Sequence, residues 1–475
     1  LIVKKLTILY PQLRMRGTKL AFAWSKNGKN RYRGNVIHPR RSILGATLLW
    51  FIICIGCSSD PPADATTAAL CGSVVAGPAS LAEFPDGFAI HGVGGDTDLL
   101  FALQPSPSPL TPPGVHVAHR ISGDNLGDVT PPPGGFLVPL TIKIESFSRA
   151  GLAGTQGRFL IMDARMPPAF IGSPYATNAR LYRYSYRYTR RDGLTTTLLE
   201  THTLPLASGL PDPSTPTLPD GILYPGSIAL LPGGRVAITD NIAGSIWVSD
   251  VSLNHWSLAI IDPRFAGAPR GPVEGVGRNE DGVIAPYTLL TPAPPGFPPG
   301  LGLFPGIHSI AYAAVTEEVC FPVTFPGGIY CIDESVLSDA ATPPFLKSAA
   351  VRVVVPPTPG LGDLTDGLDY DRYHPTSPWL YWQRAPADVA GGGYNTLRRV
   401  HLLTGAIEVV ASDNDLYSWA NEISVLPPLL SDGRWTWVLS SVGQEYNNPD
   451  VNALLGGVSS YFAPSPMPVV AIRDF

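Results

Sequence analysis

From about Leu81 onward, short runs of alternating apolar and polar residues recur between loops rich in Pro and Gly. A period of two places one face of a strand in a core and the other outside it. The runs sort into six groups of up to four strands. The first group holds Gly87–Ile90, Leu99–Leu103 and Val115–Ile121. The second holds Leu140–Phe147, Arg158–Asp163, Arg180–Tyr188 and Thr195–Leu206. The third holds Ser227–Leu231, Arg235–Asp240, Ser245–Ser249 and His255–Ile261. The fourth holds Ile307–Ala313, Glu318–Thr324, Gly328–Asp333 and Ala350–Val355. The fifth holds Gly367–Tyr370, Leu380–Gln383, Leu397–Leu403 and Ala406–Ala411, and the sixth Glu422–Leu426, Trp435–Ser440 and Val469–Arg473.

Most groups open on one motif: a bulky residue, a turn residue and an alternating strand. It reads Phe84-Pro85-Asp86-Gly87-Phe88, Tyr224-Pro225-Gly226-Ser227-Ile228, Phe304-Pro305-Gly306-Ile307-His308 and Leu364-Thr365-Asp366-Gly367-Leu368, with a looser Trp419-Ala420-Asn421-Glu422-Ile423. Repetition of several strands per unit predicts an all-β fold, a six-bladed β-propeller of four-stranded antiparallel blades over residues 81–475. A pair of β-sandwiches accounts for the strands but not for the recurrent opening motif. In a propeller those openings gather at the mouth of a central channel. Asp86, His308, Asp366, Asn421 and Glu422 are therefore expected to converge, either as metal ligands and acid–base groups or as turn caps along a wet channel.

The N-terminus changes the picture. All eleven basic residues before Asp60, the first acidic residue, lie between Lys4 and Arg41. An apolar run, Ile43–Gly56, follows and ends at Cys57. Basic stretch, short apolar run and small residue before a cysteine predict a signal peptide within residues 1–57, with Cys57 as a lipidated residue. Val36, read as an alternative start, leaves a short basic region ahead of the apolar run. Residues 58–80 read as a flexible tether. The chain is then exported, a monomeric lipoprotein of the cell envelope or a secreted protein, touching the membrane through its lipid only.

Without residues 1–57 the chain carries 22 basic and 38 acidic residues, a net charge of −16. That balance disfavours nucleic acid as a partner. Cys320 and Cys331 flank the turn Phe325-Pro326-Gly327-Gly328 and are expected to pair in an oxidising compartment. In Arg180–Tyr188, four tyrosines alternate with Arg183 and Arg187, as in a half-buried strand. The acid-rich segments Gly94–Asp98, Asp124–Asp128 and Asp413–Asp415 read as solvated turns. No HExxH, GxSxG, SxxK or P-loop motif is present.

The third group resembles the NHL and gluconolactonase-type (SMP-30-like) six-bladed propellers. The residues that carry the likeness are Tyr224–Ala229, Pro232–Asp240 and Gly244–Trp247, with an Asp closing the second strand at both Asp163 and Asp240. The resemblance implies a divalent cation, Ca²⁺ or similar, held in the channel by oxygen ligands, and hydrolysis of a lactone or small ester. It implies Asp366, Asn421 and Glu83 as ligands, with His308 and Asp86 as acid–base groups. Pro305 stands where the family places an Asn ligand. The alternative is a non-catalytic envelope propeller that binds a small molecule or an envelope protein through its loops.

Overall fold

A computed structural model describes residues 73–74, 92–104, 113–120, 122–150, 154–165, 178–208, 218–241, 243–265, 274–278, 284–288, 306–323, 327–357, 363–374, 378–386, 396–412, 422–428, 436–441 and 469–474. The chain divides into two units, Leu1–Asp60 and Pro61–Phe475. Every described residue lies in the second.

That unit is an all-β propeller with four-stranded antiparallel blades. Five four-stranded sheets are built from consecutive strands. Sheet 1 holds Val93–Gly95, Leu99–Gln104, Gly114–His119 and Asn125–Asp128. Sheet 2 holds Pro139–Arg149, Gly154–Arg165, Asn178–Thr189 and Gly193–Thr203. Sheet 3 holds Pro225–Leu230, Val236–Asp240, Ser245–Ser249 and Trp256–Ile261. Sheet 4 holds Ala311–Ala313, Glu318–Pro322, Ile329–Asp333 and Arg352–Val355, and sheet 5 holds Asp363–Tyr370, Trp379–Pro386, Thr396–His401 and Ile407–Ser412. A further sheet, sheet 6, joins both ends of the unit: Ile423–Leu426, Thr436–Ser441 and Val469–Asp474, with Ser73–Val74 paired outside them. Closing the last sheet with an N-terminal strand ties the ends of the chain together without leaving a first strand unpaired.

Consecutive sheets bury apolar residues against each other. Leu160, Met162 and Leu181 of sheet 2 meet Ile228, Ile238 and Trp247 of sheet 3. Phe321 and Ile332 of sheet 4 meet Ile246 and Ile260 of sheet 3, and Leu380 and Trp382 of sheet 5 meet Cys320 and Ile329 of sheet 4. Tyr182, Tyr184, Tyr186 and Tyr188 are all buried, on the face of sheet 2 turned to sheet 1, while Arg187 is exposed. Phe159 stacks on Tyr184 with centroids 5.4 Å apart, and Tyr186 lies edge-on to Phe101. The alternating strand is therefore a half-buried one, as its pattern predicts.

Several expectations are corrected. The first strand of sheet 1 is Val93–Gly95; the expected Gly87–Ile90 lies outside the described residues. Asp96, read as part of a solvated turn, is fully buried. Its carboxylate accepts the Asp98 and Leu99 amides, the Thr155 hydroxyl and the Tyr186 hydroxyl, the last at 2.6 Å. A three-residue strand of one Val and two Gly offers no apolar alternation, so its burial is invisible to a pattern search. Ser73–Val74, placed in the tether by composition, form a strand. A hairpin, Glu274–Arg278 with Ile284–Thr288, stands where no strands were expected. A short helix, α1 (Glu334–Ser338), starts where the Asp333 carboxylate accepts the Ser335 amide.

The acids that close second strands have a defined job. Asp163 accepts the amides of Leu137 and Val138 at 2.8 and 2.6 Å. Asp240 accepts the amides of Leu223 and Tyr224. Each ties the end of a second strand to the segment that leads into the first strand of its own sheet. Burial pushes the Asp163 carboxyl up to about 6, and the two amides only partly offset it. Between pH ~4 and ~6 the folded chain then holds a proton that the unfolded chain has released, so stability falls as pH rises through that window. A shift of this size amounts to at most about 3 kcal/mol. Thermal midpoints measured across the window should fall with rising pH in the wild type relative to Asp163→Asn; parallel profiles would refute the linkage.

Cys320 and Cys331 face each other across the central strands of sheet 4 and form a disulfide, with Cα atoms 4.1 Å apart. It closes a loop of sequence separation 11, which in the chain-entropy view stabilises the fold by about 2–3 kcal/mol. Reduction should lower the urea midpoint. An unchanged midpoint would show that the bridge constrains nothing.

Candidate functional site

The first strands gather polar groups around Glu422, which is buried immediately before the first strand of sheet 6. Its Oε1 accepts the Thr141 hydroxyl at 2.5 Å and the Ser227 hydroxyl at 3.3 Å. Thr141 and Ser227 each stand third in their strands, Pro139–Arg149 and Pro225–Leu230. The same oxygen lies 3.3 Å from Nζ of Lys143, also on sheet 2. One carboxylate thus joins sheets 6, 2 and 3.

The opening residues of other sheets close around this point because they are small. Gly92 precedes sheet 1; a Cβ there would lie 2.6 Å from Oε2 of Glu422 and 2.6 Å from the Leu140 carbonyl. Gly226, in the recurrent Pro-Gly-Ser motif, would carry its Cβ 2.3 Å from Oδ1 of Asn241 and 2.7 Å from the His308 carbonyl. The motif glycine is a close-approach residue. Thr239 donates its hydroxyl to the His308 carbonyl at 3.0 Å, linking sheet 3 to the segment entering sheet 4.

Charge continues along the first strands. Burial opposes the Lys143 ammonium, but Glu422 and Asp369 outweigh it and leave its pKa above the ordinary lysine value. Asp369, on sheet 5, accepts the Val425 amide of sheet 6 at 2.8 Å. Arg372 donates to the Ile144 carbonyl of sheet 2 at 3.2 Å and to the Tyr373 hydroxyl at 3.1 Å. On the far side of sheet 1, buried Arg120 donates to the carbonyls of Asp96 and Pro427, joining sheets 1 and 6; burial lowers its pKa to about 10, so it stays charged at neutral pH. Two acids and two bases therefore alternate in one polar seam, Glu422, Lys143, Asp369 and Arg372, with no formal net charge.

The expected site residues fare unevenly. Glu422 and His308 both lie among these first-strand segments, and His308 is buried there. Asp366 lies inside the first strand of sheet 5, opposite Gln383, where Gly367 carries a positive φ of 35° beside a bulge. Glu83, Asp86, Asn421 and the lipidation residue Cys57 lie outside the described residues. Ser227 stands in the recurrent opening motif, whereas Thr141 and Lys143 carry no signal in the sequence, since both sit in an ordinary strand. Among the described residues, one group has metal-ligand composition, Glu318 with Cys320 and Cys331, and its two sulfurs are already bonded to each other.

The donor set around Glu422 does not fit a divalent cation. Lys143 already brings a positive charge to the carboxylate, and a second cation beside the ammonium would be repelled. The four described side chains can instead hold the first strands in register through paired charges and hydroxyl donors.

No family model matches the sequence, and no curated protein matches it. Among solved structures, the chain is similar to the major allergen Mala s 1 of Malassezia sympodialis, at 9% identity, over 81% of this chain and 92% of that one, with a TM-score of 0.43. It is similar to virginiamycin B lyase from Staphylococcus aureus at 12% identity, over 74% and 92% of the two chains, with a TM-score of 0.32. A structural genomics protein from Bacteroides thetaiotaomicron aligns at 13% identity over 74% of this chain and 66% of its own, with a TM-score of 0.36. The propeller assignment rests on the strand topology and not on these likenesses.

Removing one partner of a buried ion pair strands the other, at a cost of about 3–5 kcal/mol, whereas removing both costs much less. Glu422→Gln and Lys143→Met should each lower the unfolding free energy by about 3 kcal/mol, and the double variant by less than the sum. Additive losses in denaturant titrations would show that the two groups do not act as a pair.

Proposed function

We propose that this chain is a six-bladed propeller without a channel metal, which binds a ligand or partner at its surface. The six four-stranded sheets are taken as its six blades. The observation that supports this reading is the position of Lys143: its ammonium lies 3.3 Å from the Glu422 carboxylate, so the buried acid among the first-strand openings is already matched by a cation of the chain itself. The residues of the gluconolactonase-like motif support it as well, because Gly226 and Asp240 have architectural roles. Fold alone favours neither binding nor catalysis. In this proposal the chain is an exported envelope protein, held through Cys57. The reading of it as a divalent-metal hydrolase of lactones or small esters rests on Asp366, Asn421 and Glu83 and is the less favoured one.

Thermal unfolding of the full chain in excess Ca²⁺ or Mn²⁺, compared with chelator, separates the two. A native-state ligand at a hundredfold excess over its dissociation constant adds about 2.7 kcal/mol. The expected result is an unchanged midpoint. A metal-dependent rise that disappears in Asp366→Ala would overturn the proposal and restore the hydrolase.

A further inference from the structure

Sheet 2 is much longer than its neighbour. Its strands run for 11 or 12 residues, against 5 or 6 in sheet 3. The face turned to sheet 3 changes character along its length. Leu160, Met162 and Leu181 pack on sheet 3, and residues farther along the same face are polar. Arg183 marks the boundary, held between Glu145 at 3.1 Å and Glu200. Beyond it, the pairing of the strands lays out two cross-strand rows, Gln156, Arg187 and Thr195, then Ser146, Arg158 and Ser185.

These rows line a groove of about 450 Å³. Arg158 and Arg187 are both exposed, and neither makes an ion pair among the described residues, whereas Arg183 has two carboxylates. Two uncompensated guanidiniums in a chain of net charge −5 form a local positive site. Guanidinium matches carboxylate with two parallel hydrogen bonds. Around them stand hydroxyl and amide side chains, which pair with sugar hydroxyls. Nucleic acid is poorly suited to a chain of net charge −5; Phe147 and Tyr186 also border the groove, but both pack into the apolar cluster of the opposite face.

We propose that this groove binds a carboxylated polysaccharide, with Arg158 and Arg187 each holding a uronate carboxylate and the Ser, Thr and Gln side chains holding ring hydroxyls. The proposal names the site and ligand class for the surface-binding reading above, and rests on it. Strands 4.7–4.9 Å apart give an extended chain crossing the sheet a regular ladder of contacts.

The test titrates the full chain with fluorescently labelled oligogalacturonate, using neutral malto-oligosaccharide of the same length as the control. The expected result is saturable, salt-sensitive binding of the acidic oligomer alone. Arg158→Gln and Arg187→Gln should each weaken it by about tenfold, with the thermal midpoint unchanged because both side chains are exposed. Arg191→Gln, at an exposed arginine outside the groove, should leave binding intact. Absence of saturable binding, equal binding of the neutral oligomer, or equal loss in Arg191→Gln would each overturn the groove assignment. The channel reading is judged separately by the metal experiment: a metal-dependent hydrolase that still binds the acidic oligomer through both arginines would retain the groove and lose only the non-catalytic reading.

Discussion

The Glu422 carboxylate is the point on which the first strands depend. It is buried, and it draws donors from Thr141 and Lys143 of sheet 2 and Ser227 of sheet 3. A buried carboxylate is costly unless its charge is matched and its oxygens accept hydrogen bonds. Lys143 supplies the charge and the two hydroxyls supply the bonds. Because these donors lie on different sheets, satisfying one side chain fixes three strands relative to each other. Gly92 must then be a glycine, since a Cβ there has no room beside Oε2. The small residues at the openings and the charged residues inside are two sides of one packing solution.

Sheet 2 shows how unequal strand length turns a packed face into a solvent-facing one. On the side of sheet 1 its extension is covered: the four tyrosines lie in one apolar cluster, and Tyr186 reaches the Asp96 carboxylate. Burial raises the Asp96 pKa, and the Tyr186, Thr155 and backbone donors work against that rise. On the side of sheet 3 nothing of equal length faces the extension, and the same strands change from Leu and Met to Arg, Ser and Gln. The hydrophobic rule is thus obeyed residue by residue along a single strand, and its change of sign marks where the neighbouring sheet ends.

Much of this was legible in the sequence, because period-two alternation survives wherever a strand is apolar on one face. Ser245–Ser249 is placed to the residue, and the Cys320–Cys331 pair follows from two strands around a Gly-Gly turn. Legibility fails where burial is not hydrophobic. Val93–Gly95 is buried with hardly a side chain, and Asp96 looks like a loop acid while it anchors two sheets. The sequence places Glu422 at a strand opening, but its partner Thr141 is 281 positions away, and no local pattern connects them. Lys143 was hidden for the same reason: in the sequence it is one polar position in an alternating strand, and only the closed ring of sheets turns it inward.

Amide hydrogen exchange on Glu422→Gln tests the central claim most directly. If one carboxylate holds three sheets, exchange should accelerate together in the segments containing Thr141, Ser227 and Val425, while Cys320 and Cys331 in sheet 4 keep wild-type protection. Acceleration confined to the few residues around position 422 would contradict the account, since it would mean that the first strands hold their register without the shared carboxylate.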